Sequence, residues 1–314
     1  MTQDTHDALR VTIRALIENN KEITGASLAR ETGVSQSAIS QYLNEKYKGD
    51  NTVVAESLGR WLENRNSAAQ ELPGVPDFIQ TPTVEKIWSA LKYAQLTHTV
   101  TVIYGNPGVG KTEAIKKYCE NGVNIWRITA AKSRSNELET MYELALEIGM
   151  HDAPYQRGAL SRALRRRLMG TSGLIIIDES DMLNYDALEE MRILVEECGV
   201  GLALIGNHKV YDRMTGNNKG GVEFARLFSR IAKKIVINKV LKSDVEAVCD
   251  AWKLEGKAER KLIQEIASKP GALRAVSLIL PLAAIYASET NEPINERFIL
   301  AAMRELNHAE FSIN

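Results

Sequence analysis

Residues 105–112 read Gly-Asn-Pro-Gly-Val-Gly-Lys-Thr, between the apolar run Val100–Tyr104 and a helix-compatible stretch, Glu113–Cys119. Glycines in such a loop let consecutive backbone N–H groups turn toward a polyphosphate, and the following helix N-terminus adds partial positive charge. Lys111 can reach the β- and γ-phosphates, and the Thr112 hydroxyl can ligate Mg²⁺. A glycine-rich turn with a chance Lys-Thr would not explain the order strand, loop, helix. We therefore predict a site for ATP or GTP, formed by Gly105, Asn106, Pro107, Gly108, Val109, Gly110, Lys111 and Thr112.

A second signature follows the apolar segment Leu174–Ile177, which is typical of a buried strand. Asp178 and Glu179 would emerge at the C-terminal end of this strand, where parallel sheets bind their ligands. Alone, the pattern fits a solvated acidic turn equally well. Together with the phosphate loop, it predicts that Asp178 joins Thr112 in holding Mg²⁺ and that Glu179 polarises the attacking water.

Polar and basic residues further along the chain fit the same chemistry. Asn207 follows an apolar strand and could sit between the γ-phosphate and water, or it could satisfy a turn. Arg226 and Arg230 are four residues apart on a predicted helix. One of them could reach a neighbouring subunit's nucleotide as an arginine finger, although an ordinary basic face would look the same. Arg274 stands at a predicted helix start and could reach back to the γ-phosphate, or have no ligand.

Composition limits the class of protein. The chain has 314 residues, 44% of them hydrophobic and 25% charged, as in soluble proteins of two or three domains. A net charge of −1 gives no global argument for nucleic acid binding, so that argument must be local. The cysteines are isolated, which fits free thiols in a reducing compartment. The N-terminus lacks a signal pattern, and the longest apolar stretch, 275–287, is too short to span a bilayer. We therefore expect a cytoplasmic protein that does not associate with membranes.

The chain changes character several times along its length. From residue 78 to 240, short β-branched strands alternate with helices, which predicts a parallel sheet covered on both faces. Before this region, the stretch Asn66–Pro76 contains proline and glycine and is typical of a linker. We predict an all-α domain at 1–65, a linker at 66–77, an α/β core at 78–240 and a small helical domain at 241–314.

Within the first domain, residues 25–44 fit a helix-turn-helix. Gly33 would supply the turn, Ser35 would cap the second helix, and Ile39 would face inward. The polar residues expected to face outward toward a DNA major groove are Gln36, Ser37, Ser40 and Gln41. Residues 1–65 carry 8 Lys/Arg against 9 Asp/Glu, so a helical bundle without DNA contact stays an alternative.

Basic residues concentrate in a few segments of the core. Residues 153–177 contain five arginines and no acid, and leucines at helical spacing should leave the arginines 162, 165 and 166 on one solvated face. Two further basic groups follow predicted strands. Each group could be merely solvated, but together they favour DNA contact. The candidates are Lys132, Arg134, Arg162, Arg165, Arg166 and Lys209.

In their order along the chain, these signatures resemble the AAA+ ATPases. The shared features are the phosphate loop, the Asp-Glu strand, a sensor asparagine, Ser-Arg before the last strand and Gly-x-x-Arg in a helical lid. The resemblance covers about residues 78–306, and Ser180 departs from it where alanine is common. It implies an AAA+ P-loop core with a parallel five-stranded sheet in the order 5-1-4-3-2. We expect this core to follow the all-α helix-turn-helix domain and to precede a small helical lid domain. The resemblance also implies that ATP binds between subunits.

Longer phrases narrow the resemblance: NEKYKGDN, GNPGVGKTEA, LSRALRRRL, IIIDESD, GNHKVYDRMTG, EFARLFSRIAKK, KPGALR and AAMREL. They are similar, nearly end to end, to the Mu B family of phage transposition ATPases. This resemblance implies an ATP-dependent, largely sequence-nonspecific DNA-binding protein that polymerises on double-stranded DNA as a homo-oligomer or helical filament. Such a protein delivers target DNA to a partner transposase and stimulates strand transfer, and the transposase promotes ATP hydrolysis. It would be encoded by a phage or prophage and act in the bacterial host cytoplasm.

Other classes of protein remain compatible with the residues. A helicase-loader or initiator ATPase shares the AAA+ core, but it would also predict a helicase-docking segment, and the sequence shows no such segment that we can identify. An oligomeric helix-turn-helix repressor would instead bind one operator in preference to other duplexes.

Overall fold

The computed structural model describes residues 3–19, 23–71, 75–208 and 229–306. The chain divides into two compact units, Met1–Pro73 and Gly74–Asn314. The predicted Lys209 and Arg226 lie outside the described residues.

The N-terminal unit is helical. Its helices are α1 (Gln3–Asn19), α2 (Gly25–Thr32), α3 (Gln36–Leu43) and α4 (Asn51–Glu71). Gly33 ends α2 at a φ of 73°, which glycine adopts at little cost, and its N–H donates to Ala29 O. Ser35 then caps α3 by accepting a hydrogen bond from the Ala38 N–H. The structure therefore confirms the predicted turn and cap.

Helix α3 separates its residues as the pattern predicts. Ile39 and Tyr42 are buried in a core with Leu28 and Leu58. The outward residues Gln36, Ser37, Ser40 and Gln41 are all exposed.

Helix α4 extends beyond the predicted end of the first domain. It continues to Glu71, so residues 66–71 of the predicted linker are helical. The physical reason is that this segment, Asn-Ser-Ala-Ala-Gln-Glu, contains good helix formers, and the first proline comes only at Pro73. Residue 73 is also the last residue of the N-terminal unit.

The second unit is built on a parallel sheet of five strands in the order β2-β3-β4-β1-β5. The strands are β1 (Val100–Gly105), β2 (Ile125–Thr129), β3 (Leu174–Asp178), β4 (Gly201–Gly206) and β5 (Ile231–Ile237). In register, Ile103 of β1 pairs with Ile205 of β4 on one side and Ile235 of β5 on the other. This order is the predicted 5-1-4-3-2, and it brings the ends of β1, β3 and β4 together at one edge.

Helices cover both faces of this sheet. They are α5 (Pro82–Thr97), α6 (Lys111–Asn121), α7 (Glu137–Glu147), α8 (Arg157–Leu168) and α9 (Tyr185–Cys198). Successive side chains of a strand point to opposite faces. Accordingly, Ile175 and Ile177 pack with residues of α7, α8 and α9, whereas Leu174 and Ile176 pack with residues of α5 and α6. The apolar strand sequences are thus explained by burial on both faces.

The C-terminal part of this unit is a helical lid. Its helices are α10 (Lys242–Ala251), α11 (Lys257–Ser268), α12 (Ala272–Thr290) and α13 (Glu296–Glu305). Among the described helices, α12 has the length and apolar composition to cross a membrane. Its residues Ile279, Leu280 and Ala283 instead form part of the lid core, which explains their apolar character.

A buried carboxylate joins the lid to the core. Asp244 at the start of α10 accepts hydrogen bonds from the N–H and the hydroxyl of Thr83 at the start of α5, at 2.9 and 2.6 Å. It also accepts a bond from the Leu241 N–H at 3.0 Å. This carboxylate therefore links the start of α5 to the start of α10 through three hydrogen bonds.

Candidate nucleotide site and DNA-facing surfaces

The phosphate loop has the backbone that its glycines predict. Gly108 and Gly110 have φ values of 78° and 89°, in the left-handed region that favours glycine. A Cβ on Gly108 would also collide with the backbone oxygen of Gly271 in the lid. Asn106 donates its backbone N–H to Ile237 O at 3.0 Å, so the end of β5 supports the loop. The lid and the end of β5 therefore both lie against the phosphate loop.

Lys111 begins α6 and lies over this loop. Its Nζ donates to the backbone oxygens of Gly105 and Asn106, at 3.0 and 2.8 Å. Burial lowers the pKa of the Lys111 ammonium, and nearby carboxylates, with Glu179 first, oppose that effect. These carboxylates favour the charged ammonium, which is suited to bind phosphate oxygens.

The residues expected to hold Mg²⁺ are in contact. The Thr112 hydroxyl donates to Asp178 Oδ2 at 3.0 Å, and Asp178 is only 3% exposed. Among the described residues, no group of three or more His, Cys, Asp or Glu could hold a metal. One hydroxyl and one carboxylate fit Mg²⁺, which is usually bound by one or two protein oxygens together with phosphates and water.

Glu179 projects from the end of β3. It adopts a left-handed conformation with a φ of 52°, and its N–H donates to Asp178 Oδ1 at 3.0 Å. Partial burial, followed by the charges of Asp178 and Asp181, raises the pKa of the Glu179 carboxyl. A carboxylate of raised pKa is a better proton acceptor, as a general base needs to be.

Residues beyond the Asp-Glu pair tie this turn to the end of β4. Ser180 Oγ donates to Ile205 O at 2.9 Å. Asp181, which is 4% exposed, accepts hydrogen bonds from Asn207 Nδ2 at 2.6 Å and from the Asn207 N–H at 3.3 Å. The structure thus places Asn207 beside the acidic turn. Our sequence reasoning missed the contact between Asp181 and Asn207. The second aspartate, three residues after Asp178, was a signal that could have indicated it.

The candidate arginines lie in different surroundings. Arg274 is exposed on the first turn of α12, and its charge opposes the rise in the pKa of Glu179. Arg230 has a side chain that is 61% exposed, with Nε 3.3 Å from Glu196 Oε1 on α9. A surface ion pair of this kind contributes little energy, so Arg230 can exchange it for another anion.

The predicted DNA-binding residues of the core are only partly available. Arg162, Arg166 and Lys132 are exposed, and none has an ion pair within the described ranges. Arg165, on the same helix, is half-buried, and its Nε lies 2.7 Å from Glu197 Oε2 on α9. Arg134 likewise pairs with Glu143, at 3.0 Å. The packing of α8 against α9, and of the loop after β2 against α7, brings these acids into reach.

Comparison with known proteins agrees with this architecture. A family model described as "AAA domain" matches residues 94–214, and one described as "Mu B transposition protein, C terminal" matches residues 229–306.

Relatives match nearly the whole chain. Proteins named "ATP-dependent target DNA activator B" from Escherichia phage Mu and from Escherichia phage D108 are each 50% identical over 299 residues, covering 95% of this chain and 95% of theirs. The "Mu-like prophage FluMu DNA transposition protein B" of Haemophilus influenzae is 45% identical over 260 residues, covering 82% of this chain and 91% of its own. With a complete phosphate loop, an AAA domain and this degree of identity, the chain belongs to the Mu B family of phage transposition proteins.

Proposed function

We propose that this protein is an ATP-dependent, largely sequence-nonspecific DNA-binding ATPase that polymerises on target DNA, delivers it to a transposase and activates strand transfer. The observation that carries the proposal is the 50% identity, over 95% of the chain, to relatives named for ATP-dependent activation of target DNA. The convergence of Lys111, Thr112, Asp178 and Glu179 at one sheet edge supports its ATP-dependent part.

In the proposed reaction, Lys111 exchanges its loop carbonyls for the β- and γ-phosphates of ATP. Thr112 and Asp178 would hold Mg²⁺, which neutralises phosphate charge when bound. Glu179 would accept the proton of the attacking water, because its carboxyl projects from the turn and has a raised pKa.

Hydrolysis would depend on a neighbouring subunit. Arg230 or Arg226 of that neighbour would neutralise charge on the transferred phosphoryl group, and Arg274 of the lid would do so from within the subunit. Since each site then needs two chains, ATP favours the assembled state and hydrolysis limits its lifetime. If DNA binds the assembled state more tightly than the monomer, DNA binding would be coupled to ATP binding in the same way.

DNA contact would come from exposed residues of both units. Lys132, Arg162 and Arg166 offer charge for phosphates, and the polar face of α3 offers hydrogen-bond donors and acceptors. We place this activity in the bacterial host cytoplasm, where a phage-encoded target activator would meet host DNA and the transposase.

The test combines assembly with strand transfer. The full chain is mixed with random-sequence duplex DNA, with and without ATP and Mg²⁺, and imaged by electron microscopy. The transposase of the same element is then added and strand-transfer products are counted. We expect ATP-dependent filaments on any duplex and more products when this protein is present. Binding confined to one operator, or no gain in products, would contradict the proposal.

A further inference from the structure

We propose that Asp181 is a positioning residue for ATP hydrolysis, which holds the Asn207 side-chain amide in one of its two possible orientations at the nucleotide edge. This inference rests on the proposed function, because it assumes that Asn207 faces a hydrolysed ATP. The sequence signatures of the nucleotide site assign no role to Asp181.

The backbone explains why Asp181 reaches Asn207. The left-handed conformation of Glu179 turns the chain at the end of β3 into a short 3-10 helix, Ser180–Met182. This turn directs Glu179 outward and carries Ser180 and Asp181 inward, where they are 1% and 4% exposed. Because β3 and β4 are adjacent in the sheet, the inward side of the turn meets the residues that follow β4.

The hydrogen bonds specify the direction of the Asn207 amide. An ionised carboxylate only accepts hydrogen bonds, whereas the asparagine side chain has one accepting and one donating end. Asp181 Oδ2 lies 2.6 Å from Asn207 Nδ2, and Oδ1 receives the backbone N–H of the same residue at 3.3 Å. Reversing the amide would bring two oxygens together, so the carboxylate selects the orientation with the NH₂ group toward itself. The amide oxygen and the second N–H then have fixed directions.

Asp181 could also act through its charge alone. Its carboxylate contributes to raising the pKa of both Lys111 and Glu179, although burial and other groups contribute more to each. A charge effect would act on these residues whether or not Asn207 is present. An orientation effect requires the Asn207 side chain. The two explanations therefore differ in a double-mutant cycle.

The experiment measures steady-state ATP hydrolysis on duplex DNA by the full chain and by D181N, N207A and the double variant. Asparagine at position 181 keeps the size of the side chain but can face Asn207 with either end. We expect D181N to lower kcat about tenfold, with the KM for ATP changed less than twofold, because loss of a positioned group affects the chemical step. In the N207A background, D181N should cause no further decrease in kcat.

Controls separate positioning from folding and from charge. S180A removes a hydrogen bond from the same turn but leaves Asp181 in place, and we expect it to lower kcat less than D181N does. If D181N does not fold, as judged by thermal unfolding, D181S gives the same cycle with a smaller side chain. The N207A background separates positioning from charge, because a charge effect of D181N on kcat would persist without the Asn207 side chain.

An equal loss of kcat in the wild-type and N207A backgrounds would overturn the inference, and so would an S180A variant as impaired as D181N. In both cases the wild-type protein would still hydrolyse ATP, so the proposed function would stand. A wild-type protein that binds DNA but hydrolyses no ATP would overturn both.

Discussion

The nucleotide edge of the sheet and the candidate DNA-facing surfaces use charge in different ways. At the nucleotide edge, the charges of Asp178 and Glu179 act on the pKa of Lys111, and those of Asp178 and Lys111 act on the pKa of Glu179, so these residues depend on one another. The DNA candidates are spread over two units, from the polar face of α3 to Arg162 on α8. The difference implies that one substitution can disable the first region, whereas the second loses function by increments.

The largest effect is expected from Glu179→Gln. Loss of a general base costs about 10²–10⁴-fold in rate, while Asp178 and Thr112 still support Mg²⁺. We expect ATP binding to persist and DNA complexes to live longer, measured by single-turnover hydrolysis and by dissociation from DNA after dilution. Rapid turnover in this variant would assign the base to another residue.

Mixing experiments extend this prediction to the subunit boundary. Arg230→Ala should lose hydrolysis as well, but a mixture of Arg230→Ala and Glu179→Gln should regain part of it, because some sites then combine intact residues from two chains. Recovery is measured as a function of mixing ratio, with Arg226→Ala in a parallel series. Absence of recovery in both series, with folded proteins, would contradict a shared site.

Lys111→Ala should weaken ATP binding by about 10–100-fold, because charge-assisted hydrogen bonds contribute about 1.5–3 kcal/mol. ATP-dependent assembly on DNA should disappear at ATP concentrations that saturate the wild-type protein. Affinity is measured by titration with a fluorescent ATP analogue, and assembly by sedimentation with DNA. Unchanged affinity in a folded variant would remove Lys111 from the nucleotide site.

Smaller and additive effects are expected on the basic surface. Replacing Lys132, Arg162 and Arg166 with glutamine should reduce the slope of log affinity against log salt by about 0.9 for each DNA phosphate that is no longer neutralised. The control replaces Arg134 and Arg165, whose guanidinium groups are paired with acids, and should change the slope less for each residue replaced. An equal change per residue in the two variants would mean that the ion pairs open when DNA binds.

The smallest effect is expected from removing the N-terminal unit. A protein beginning at Gly74 keeps the sheet, the lid and their hydrophobic cores, so it should bind ATP and assemble on DNA, with an affinity reduced by a few fold. The tethered helix-turn-helix adds local DNA concentration. Filament formation by both forms at matched ATP and salt is the measurement. Complete loss of assembly with intact ATP binding would make the N-terminal unit the main DNA-binding surface.

Features set by neighbouring residues were predictable, and features set by long-range packing were not. The phosphate loop and the Ser35 cap are local, since the residues that make them lie within a few positions of one another. The link between Asp181 and Asn207 requires that β3 and β4 be adjacent, and the Arg165–Glu197 pair requires α8 to pack on α9. No spacing rule finds such contacts.

The predicted linker, residues 66–77, began too early, because residues 66–71 belong to α4. Our boundary at residue 65 gave weight to the proline and glycine that follow and too little to the helix formers between Asn66 and Glu71. The sheet order, in contrast, followed from the family resemblance, and the structure confirms it. The family resemblance therefore predicted the strand order of the sheet, whereas the ends of individual helices depend on their local sequence.

The path of β5 bears on how proteins of this family could exchange parts. The C-terminal family match begins at residue 229, before β5, and thus includes an edge strand of the nucleotide-binding sheet together with the lid. Because Asn106 of the phosphate loop hydrogen-bonds to the backbone oxygens of Ile237 and Asn238, a chimera joined at residue 229 would combine one parent's loop with the other parent's support for it. Recombination that keeps the phosphate loop and this support from one parent would have to cross over after Asn238, inside the matched C-terminal segment.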